Sequence, residues 1–160
     1  MAAPATTAGD LNESAVATDY AGLVTRAIAL GIDAAIVEGS LLLIAAMLSL
    51  IASLVGGVEF SNAAKVLSAA GWVLITAGYF VVGWSTSGQT LGMRAMELSV
   101  LTADTLLPPR LLQSIVRVVF LGLSILLLFT GFIPVLFDPR RRGAHDMVAR
   151  TVVLRADAVP

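Results

Sequence analysis

The sequence predicts an all-α integral membrane protein with three transmembrane helices and a short polar C-terminal tail. Three segments of the 160-residue chain contain no charged side chain: Gly39–Val58, Val66–Met93 and Val118–Phe137, which are 20, 28 and 20 residues long. A helix needs about 20 apolar residues to cross the hydrocarbon core of a bilayer. Hydrophobic residues make up 58% of the chain and the mean hydropathy is +0.91, so lipid is the expected surroundings.

The polar ends of the chain are short. Residues 1–19 are rich in Ala, Thr, Asp and Ser without periodicity, and they are predicted to form a disordered lead-in. They lack the basic start and apolar stretch of a signal peptide. The transmembrane domain is predicted at residues 20–155, and residues 156–160 form a flexible C-terminus.

The first two helices are delimited by glycine and polar residues. The first is predicted to begin between residues 19 and 23 and to end near Val55, because Gly56-Gly57 follows. The second is predicted from about Ala63 to Trp84. An aromatic side chain such as that of Trp84 at the end of a helix suits the aromatic belt at the membrane interface.

The third helix follows Pro108-Pro109, since proline is tolerated in the first turn of a helix. It is predicted from about Arg110 to Phe137, with Gly131 and Pro134 expected to bend its end. Short extended segments are predicted on either side, at residues 97–101 and 151–154.

Two arrangements of the third segment stay open. If it spans, four arginines lie on one side, and Lys65 with five arginines lies on the other. If it re-enters and returns, nine arginines share one side, which the positive-inside rule favours, and residues 98–101 can pair with 152–154. However, limbs of about a dozen residues span poorly, and a lipid-exposed bend leaves backbone groups unsatisfied. Three spans are therefore preferred, with a broken or re-entrant third segment as the alternative.

The rare charges inside the apolar region are candidates for a transport or structural charge site. Arg26 and Asp33 lie two turns apart on one face of the first helix, about 10 Å apart along its axis. An acid in hydrocarbon needs a proton or a cation, and Arg26 and Arg117 are the candidate partners. This pattern predicts either an ion or proton site or an Asp–Arg pair that locks helices together. Glu38 points roughly 140° away from Asp33, so the two acids are not expected to form one dyad.

Small residues recur every four positions from the first helix onward, at Ala45, Ser49, Ser53 and Gly57. Such ladders let helices approach closely in lipid. Packing within the monomer is the first interpretation, and a homo-oligomer contact is the alternative.

A polar loop and a basic run complete the candidate sites. The loop contains Gly88, Gln89, Thr90, Gly92 and Arg94, and it is predicted to form a tight turn. It is not a phosphate loop, because the Lys-Ser/Thr ending is missing. Arg140, Arg141 and Arg142 are expected to contact anionic lipid headgroups.

Several function classes are not expected from the composition. The chain has no cysteine and a single histidine, His145, so no metal site, cofactor or nucleophilic triad is predicted, and an enzyme is not expected. The net charge of −1 gives no reason to expect a nucleic-acid partner.

Three motifs in order resemble the RDD family of small membrane proteins, which is named for one Arg and two Asp residues. The motifs are Tyr20-Ala21-Gly22-Leu23-Val24-Thr25-Arg26 with Ile32-Asp33, Ser87-Gly88-Gln89-Thr90-Leu91-Gly92-Met93-Arg94, and Phe137-Asp138-Pro139-Arg140-Arg141-Arg142-Gly143-Ala144-His145-Asp146 with Thr151-Val152-Val153. By this resemblance, Arg26, Asp33 and Asp146 are the name-giving residues. Together with Arg117 and His145 they make up the candidate transport or structural charge site. Met93 and Arg150 depart from the family's usual Lys and Gly.

The resemblance implies a multi-pass protein of the cell (plasma) membrane, in a family whose function is mostly unknown. The first functional hypothesis is a part of an ion or small-solute transport system that uses Asp33 and a nearby arginine. Three helices enclose an aqueous path poorly, so this hypothesis favours a homo-oligomer. The second hypothesis is a non-catalytic membrane scaffold or assembly factor whose buried charges fix helix packing.

Overall fold

The computed structural model describes residues 20–56 and 61–155. The predicted disordered lead-in at 1–19 and the flexible C-terminus at 156–160 lie outside the described residues. The described chain is mostly helical and also contains two short strands. In chain order the elements are α1 (Leu23–Leu54), α2 (Asn62–Ser87), α3 (Leu91–Ala95), β1 (Leu98–Thr102), α4 (Leu111–Leu126), a 3₁₀ helix (Thr130–Leu136), α5 (Ala144–Ala149) and β2 (Thr151–Arg155).

Helices α1 and α2 are each long and apolar enough to cross a membrane. Their bounds confirm the predicted positions of the first two helices to within a few residues. Ser61 begins α2 by accepting a hydrogen bond from the Ala64 N–H through its side-chain oxygen. Gly88 ends α2 in the left-handed region, with φ of 70°.

The buried residues of α1 are confined to its first half. Arg26, Ala29, Asp33 and Val37 form one stripe, because spacings of three and four residues return to the same helix face. Beyond Val37 the helix presents exposed apolar side chains on nearly all sides. This pattern is typical of a helix whose first half packs on protein and whose second half faces lipid.

Three residues of the predicted small-residue ladder lie in that exposed half, and the fourth, Gly57, lies outside the described residues. Ala45, Ser49 and Ser53 are exposed, so they do not pack against other described elements. The first interpretation of the ladder, packing within the monomer, is therefore wrong for these three residues, because the chain folds back only against the first half of α1.

An antiparallel two-stranded sheet joins the two ends of the third apolar region. Leu98 pairs with Arg155 and Thr102 pairs with Thr151, and Tyr20 adds an isolated bridge to Leu154. The inward side chains of both strands are fully buried. The description of the chain after Phe137 as a polar tail is wrong for α5 and β2, because their apolar residues complete the protein core.

The third apolar segment is not one continuous helix. Helix α4 and the 3₁₀ helix meet at an angle of 104°, so the chain has two candidate spans, or three if the bent pair is one span. The break falls at residues 127–129, before the predicted bend at Gly131 and Pro134. Leu128 and Phe129 adopt positive φ angles of 53° and 63°, which reverse the chain.

The backbone of this bend is internally hydrogen-bonded. The N–H groups of Leu127, Leu128 and Phe129 donate to the carbonyls of Leu123, Ile125 and Ser124 at 2.7–3.1 Å. Thr130 and Phe132 donate to carbonyls within the bend as well. The expected penalty for a bend in lipid therefore does not apply to these groups, because none of them depends on water.

Gly131 permits the close return of the chain. A side-chain carbon at this position would lie 1.9 Å from the Ser124 hydroxyl oxygen, which is far inside van der Waals contact. Only glycine therefore lets the 3₁₀ helix lie directly on α4. Val135, in the same short helix, is buried.

Candidate functional site

A buried ion cluster links three helices at the end of the molecule that carries the sheet. Arg26 of α1 lies with its Nη1 2.5 Å from Oδ2 of Asp146, and Arg117 of α4 lies with its Nη1 2.8 Å from Oδ1. Asp146, on α5, is fully buried, and both arginines are nearly so. One carboxylate therefore holds two guanidinium groups that come from distant parts of the chain.

The surroundings of Asp146 keep it ionised. Burial by itself raises the pKa of its carboxyl, but Arg117 and Arg26 outweigh this effect, so the pKa lies well below its ordinary value. Asp146 Oδ2 also accepts the Gly143 N–H at 3.0 Å, which caps the start of α5. The carboxylate thus orders its own helix while it pairs with the arginines.

His145 borders the cluster without joining it as a cation. Its Nε2 lies 3.6 Å from Asp146 Oδ1, and its ring packs on Phe132 with centroids 5.0 Å apart. Burial lowers the pKa of His145 to about 4 despite the attraction of Asp146. The imidazole is therefore neutral at pH 7.

The arginines are fixed by further contacts. Arg117 donates to the Thr151 hydroxyl at 2.9 Å, and its guanidinium lies 4.6 Å from the centre of the Trp84 ring. Arg26 donates through Nε to the Ala21 carbonyl at 3.2 Å. The cluster therefore touches α1, α2, α4, α5 and β2, which makes it the electrostatic centre of the fold.

Asp33 is held by a different set of donors. Its Oδ1 accepts the Tyr79 hydroxyl and the Gly92 N–H, both at 2.7 Å, and its Oδ2 accepts the Thr90 hydroxyl at 2.5 Å. The prediction that Asp33 pairs with Arg26 or Arg117 is therefore wrong. The arginines are directed to Asp146 instead, and Asp33 caps the start of α3.

The polar loop positions α3 on α1 and on the sheet. A side-chain carbon at Gly92 would lie 2.1 Å from the Ala29 carbonyl oxygen, so only glycine permits this contact between the two helices. The Gly88 carbonyl accepts the Val100 N–H at 2.7 Å, and Gln89 donates to the Ser99 hydroxyl at 2.8 Å. Arg94 is exposed. The other four loop residues thus have structural contacts, as a tight turn requires.

A cavity of about 30 Å³ separates Asp33 from the cluster. Its lining includes Arg26, Asp33, Trp84, Arg117 and His145. One water molecule needs about 10–15 Å³ of such space, so the cavity has room for about two waters. Arg26 Nη2, Trp84 Nε1 and Arg117 Nε are buried without a hydrogen-bond acceptor among residues 20–56 and 61–155. Four of the five predicted charge residues, all except Asp146, therefore surround a space too small for an organic solute.

Glu38, which is not among the predicted site residues, forms a separate polar site. Its carboxylate oxygens accept the Trp72 indole N–H at 2.5 Å and the Thr76 hydroxyl at 3.1 Å. Both donors lie on α2, so this contact joins the two long helices. The spacing of Glu38 relative to Asp33 correctly indicates two separate acids, but nothing in the local sequence identifies Trp72 as a partner.

A larger groove runs beside Glu38. It has a volume of about 720 Å³ and lies between α1, α2, α4 and the 3₁₀ helix. Its lining side chains are apolar except for Glu38 and Thr76; they include Leu30, Ala34, Phe80, Phe129, Phe132 and Leu136. A groove of this size and polarity is typical of a site for a small organic molecule.

One of the three arginines that follow the third segment forms an ion pair, and the other two are exposed. Arg142 binds Asp138 through two side-chain contacts of 2.9 and 3.0 Å, whereas Arg140 and Arg141 are exposed. The hydrogen bonds from Arg142 lower the pKa of Asp138. Within the described part of the chain, no group of three or more His, Cys, Asp or Glu side chains is placed to hold a metal ion.

These features define a helical membrane protein in which a buried charge cluster closes the fold. The sequence model of the RDD family matches residues 20–150, so the chain belongs to the RDD family. An uncharacterised protein of Rickettsia prowazekii is 30% identical over 84 residues, which make up 52% of this chain and 46% of that protein. The match thus covers about half of the length of this curated relative. No solved structure matches the chain at a significant level.

Proposed function

We propose that this protein is a membrane-embedded component of a small-solute transport system, and that the solute binds in the groove beside Glu38. The observation that carries the proposal is the groove itself, because an apolar space of about 720 Å³ with one acid in its wall suits a solute. Acidic residues are rare within membrane-spanning segments, and those that do occur there often mark the path of a solute or an ion.

This proposal moves the transport site away from Asp33. Asp33 already accepts three hydrogen bonds and is almost completely buried, and Asp146 is paired with two arginines. Both acids therefore act as parts of the frame. Glu38 has neutral donors and borders the groove, so it is the acid best placed to meet a solute.

The membrane arrangement that fits this proposal is a multi-pass fold with a re-entrant third segment in the plasma membrane. The pairing of β1 with β2 supports it, because both ends of the third segment then lie on one side. Nine arginines would share that side, with Lys65 on the other, which is the distribution that the positive-inside rule favours for a cytoplasmic face.

Uptake by proteoliposomes tests the proposal. A panel of inorganic cations and organic solutes is offered to vesicles that carry an imposed proton gradient. At least one solute should enter faster than into empty vesicles, and Gly31→Leu should block its entry because Gly31 lines the groove. Gly39→Leu is the matched control, since both glycines lie on α1 with open space around them and Gly39 is not part of the groove lining. Uptake that is absent, or equal in both variants, contradicts the proposal.

A membrane scaffold is the second candidate function. The partners of Asp33 and Asp146 favour it, because buried charges that are held by groups of the protein itself fix helix packing without binding a solute. In that case no member of the solute panel enters the vesicles, and Gly31→Leu leaves both assembly and vesicle uptake unchanged.

A further inference from the structure

The groove beside Glu38 has a charge and a shape that together specify a ligand class. Resting on the proposed function, we infer that the groove binds an amphiphilic organic cation. The charged centre of this ligand lies against the Glu38 carboxylate, and its apolar body lies along the groove between α1 and the 3₁₀ helix.

The first argument is the set of groups that contact the Glu38 carboxyl group. An ionised carboxylate has about four acceptor positions, and Glu38 uses two of them for neutral donors, the Trp72 indole and the Thr76 hydroxyl. No arginine, lysine or histidine in the described ranges forms a salt bridge with it. Asp146, by contrast, has two arginine partners. An acid in hydrocarbon needs a proton or a cation, and a cation in the groove would supply the countercharge for the ionised form of Glu38.

The second argument is the wall of the groove. The rings of Phe80, Phe129 and Phe132 line the same space as Glu38. Aromatic faces attract cations, and they do so most strongly when water is excluded, as in sites for quaternary ammonium groups. An acid and three aromatic rings around one apolar space therefore favour an organic cation.

The third argument is the size of the space. A bare inorganic ion would leave most of about 720 Å³ unfilled, and the apolar walls offer few oxygen ligands to replace its water. A neutral lipid chain or a second copy of the protein would fill the groove but would not compensate Glu38. The amphiphilic cation satisfies both the charge and the walls.

Equilibrium binding of tetraphenylphosphonium to the purified full-length protein in non-ionic detergent tests the inference. Binding should be saturable, and Glu38→Gln should weaken it at least about tenfold, a modest part of the attraction expected for a close charge pair in a protein. Gly31→Leu should weaken it by obstruction, and Gly39→Leu should leave it unchanged. Circular dichroism and gel filtration establish that each variant is folded.

Tetraphenylborate is the matched probe, because it has the same shape and the opposite charge. Its binding to the wild-type protein should not exceed its binding to empty micelles. The inference is overturned if both ions bind equally, if Glu38→Gln binds tetraphenylphosphonium as the wild type does, or if a second copy covers the groove and excludes the probe.

The outcomes separate this inference from the proposed function. If vesicles take up a neutral solute in a Gly31-dependent way while tetraphenylphosphonium does not bind, the transport role stands and the cation inference fails. If the cation binds through Glu38 but no solute enters the vesicles, the cation site stands and the transport role fails.

Discussion

Arg26 and Asp146 are 120 residues apart in the chain, yet a guanidinium nitrogen of one lies 2.5 Å from a carboxylate oxygen of the other. Arg26 lies in the second turn of α1, and Asp146 lies in the short helix that precedes the last strand. This contact closes the fold, because it ties the start of the first long helix to the end of the domain. Arg117 binds the second oxygen of the same carboxylate and brings α4 into the closure.

Replacing Asp146 should therefore destabilise the protein strongly. Asp146→Asn leaves two buried guanidinium groups without a countercharge, and breaking a buried pair costs about 3–5 kcal/mol. The measurement is thermal unfolding in detergent, followed by circular dichroism.

The control for this prediction is Asp138→Asn in the same region. Asp138 pairs with the more exposed Arg142, and pairs of that kind contribute about 0–1 kcal/mol. Equal losses of stability in the two variants would contradict a dominant role for the Asp146 cluster.

Lowering the pH from 7 to 4 should destabilise the protein through His145. Its pKa is 6.5 in the unfolded chain and about 4 in the folded protein, so between these values the unfolded state binds more protons. The stabilisation is complete above pH 6.5 and is lost as the pH falls to 4, by about 3 kcal/mol at most. Unfolding midpoints measured across this range check the prediction.

The matched variant for the pH experiment is His145→Gln. It should unfold with a nearly constant midpoint between pH 6.5 and 4, because it removes the group that titrates there. Asp146 has a lowered pKa, so its contribution is lost only at still lower pH. A variant that retains the full pH dependence would exclude His145 as its source.

Replacing Gly92 should detach α3 from α1. Gly92→Ala places a carbon 2.1 Å from the Ala29 carbonyl oxygen and 2.8 Å from the carboxylate carbon of Asp33, so the two helices must separate. Overpacking of this kind typically costs about 1–3 kcal/mol or more. Thermal unfolding in detergent measures the loss.

Gly122→Ala is the control for this substitution. Gly122 lies within α4 and an added side-chain carbon meets no atom within 4 Å, so alanine should be neutral or slightly stabilising because of its helix propensity. If both glycine variants unfold at the same temperature, Gly92 does not hold the helices together.

Cysteine labelling should place both ends of the third segment on one side of the membrane. Arg94 precedes this segment and Met147 follows it, and both side chains are exposed. The natural chain has no cysteine, so Arg94→Cys and Met147→Cys can be labelled without background. With a membrane-impermeant maleimide on intact cells, the two variants should react alike.

Lys65→Cys supplies the reference for the opposite side, since Lys65 lies near the start of α2. It should show the reverse accessibility. Opposite reactivity of Arg94→Cys and Met147→Cys would mean that the third segment crosses the membrane completely.

Much of the local structure could be predicted because it depends on neighbouring residues. The charge-free segments predict α1 and α2, and the glycine-rich loop predicts the turn before α3. The break at Leu128 and Phe129 could not be predicted in this way, because neither residue favours a positive φ. The bend is imposed by the packing of the 3₁₀ helix on Ser124 through Gly131.

The choice of partners also depended on the tertiary structure. Arg26 and Asp33 lie on one face of α1, yet they bind different parts of the chain: Arg26 binds Asp146, whereas Asp33 binds groups between residues 79 and 92. The spacing of residues along a helix shows on which face each side chain lies. It does not show which side chains of other elements pack against that face. Glu38 shows the same limit, because its partners Trp72 and Thr76 and its groove appear only when α2 and the 3₁₀ helix are in place.

The apolar helices with a few embedded charges follow from the amino-acid order alone, because the hydropathy of a segment depends only on the residues within it. Three features emerge only in the folded chain: the third segment bends at residues 127–129, Asp146 rather than Asp33 pairs with the arginines, and Glu38 borders a groove. These features arise from contacts between residues far apart in the chain, and their geometry is set when all the elements pack together.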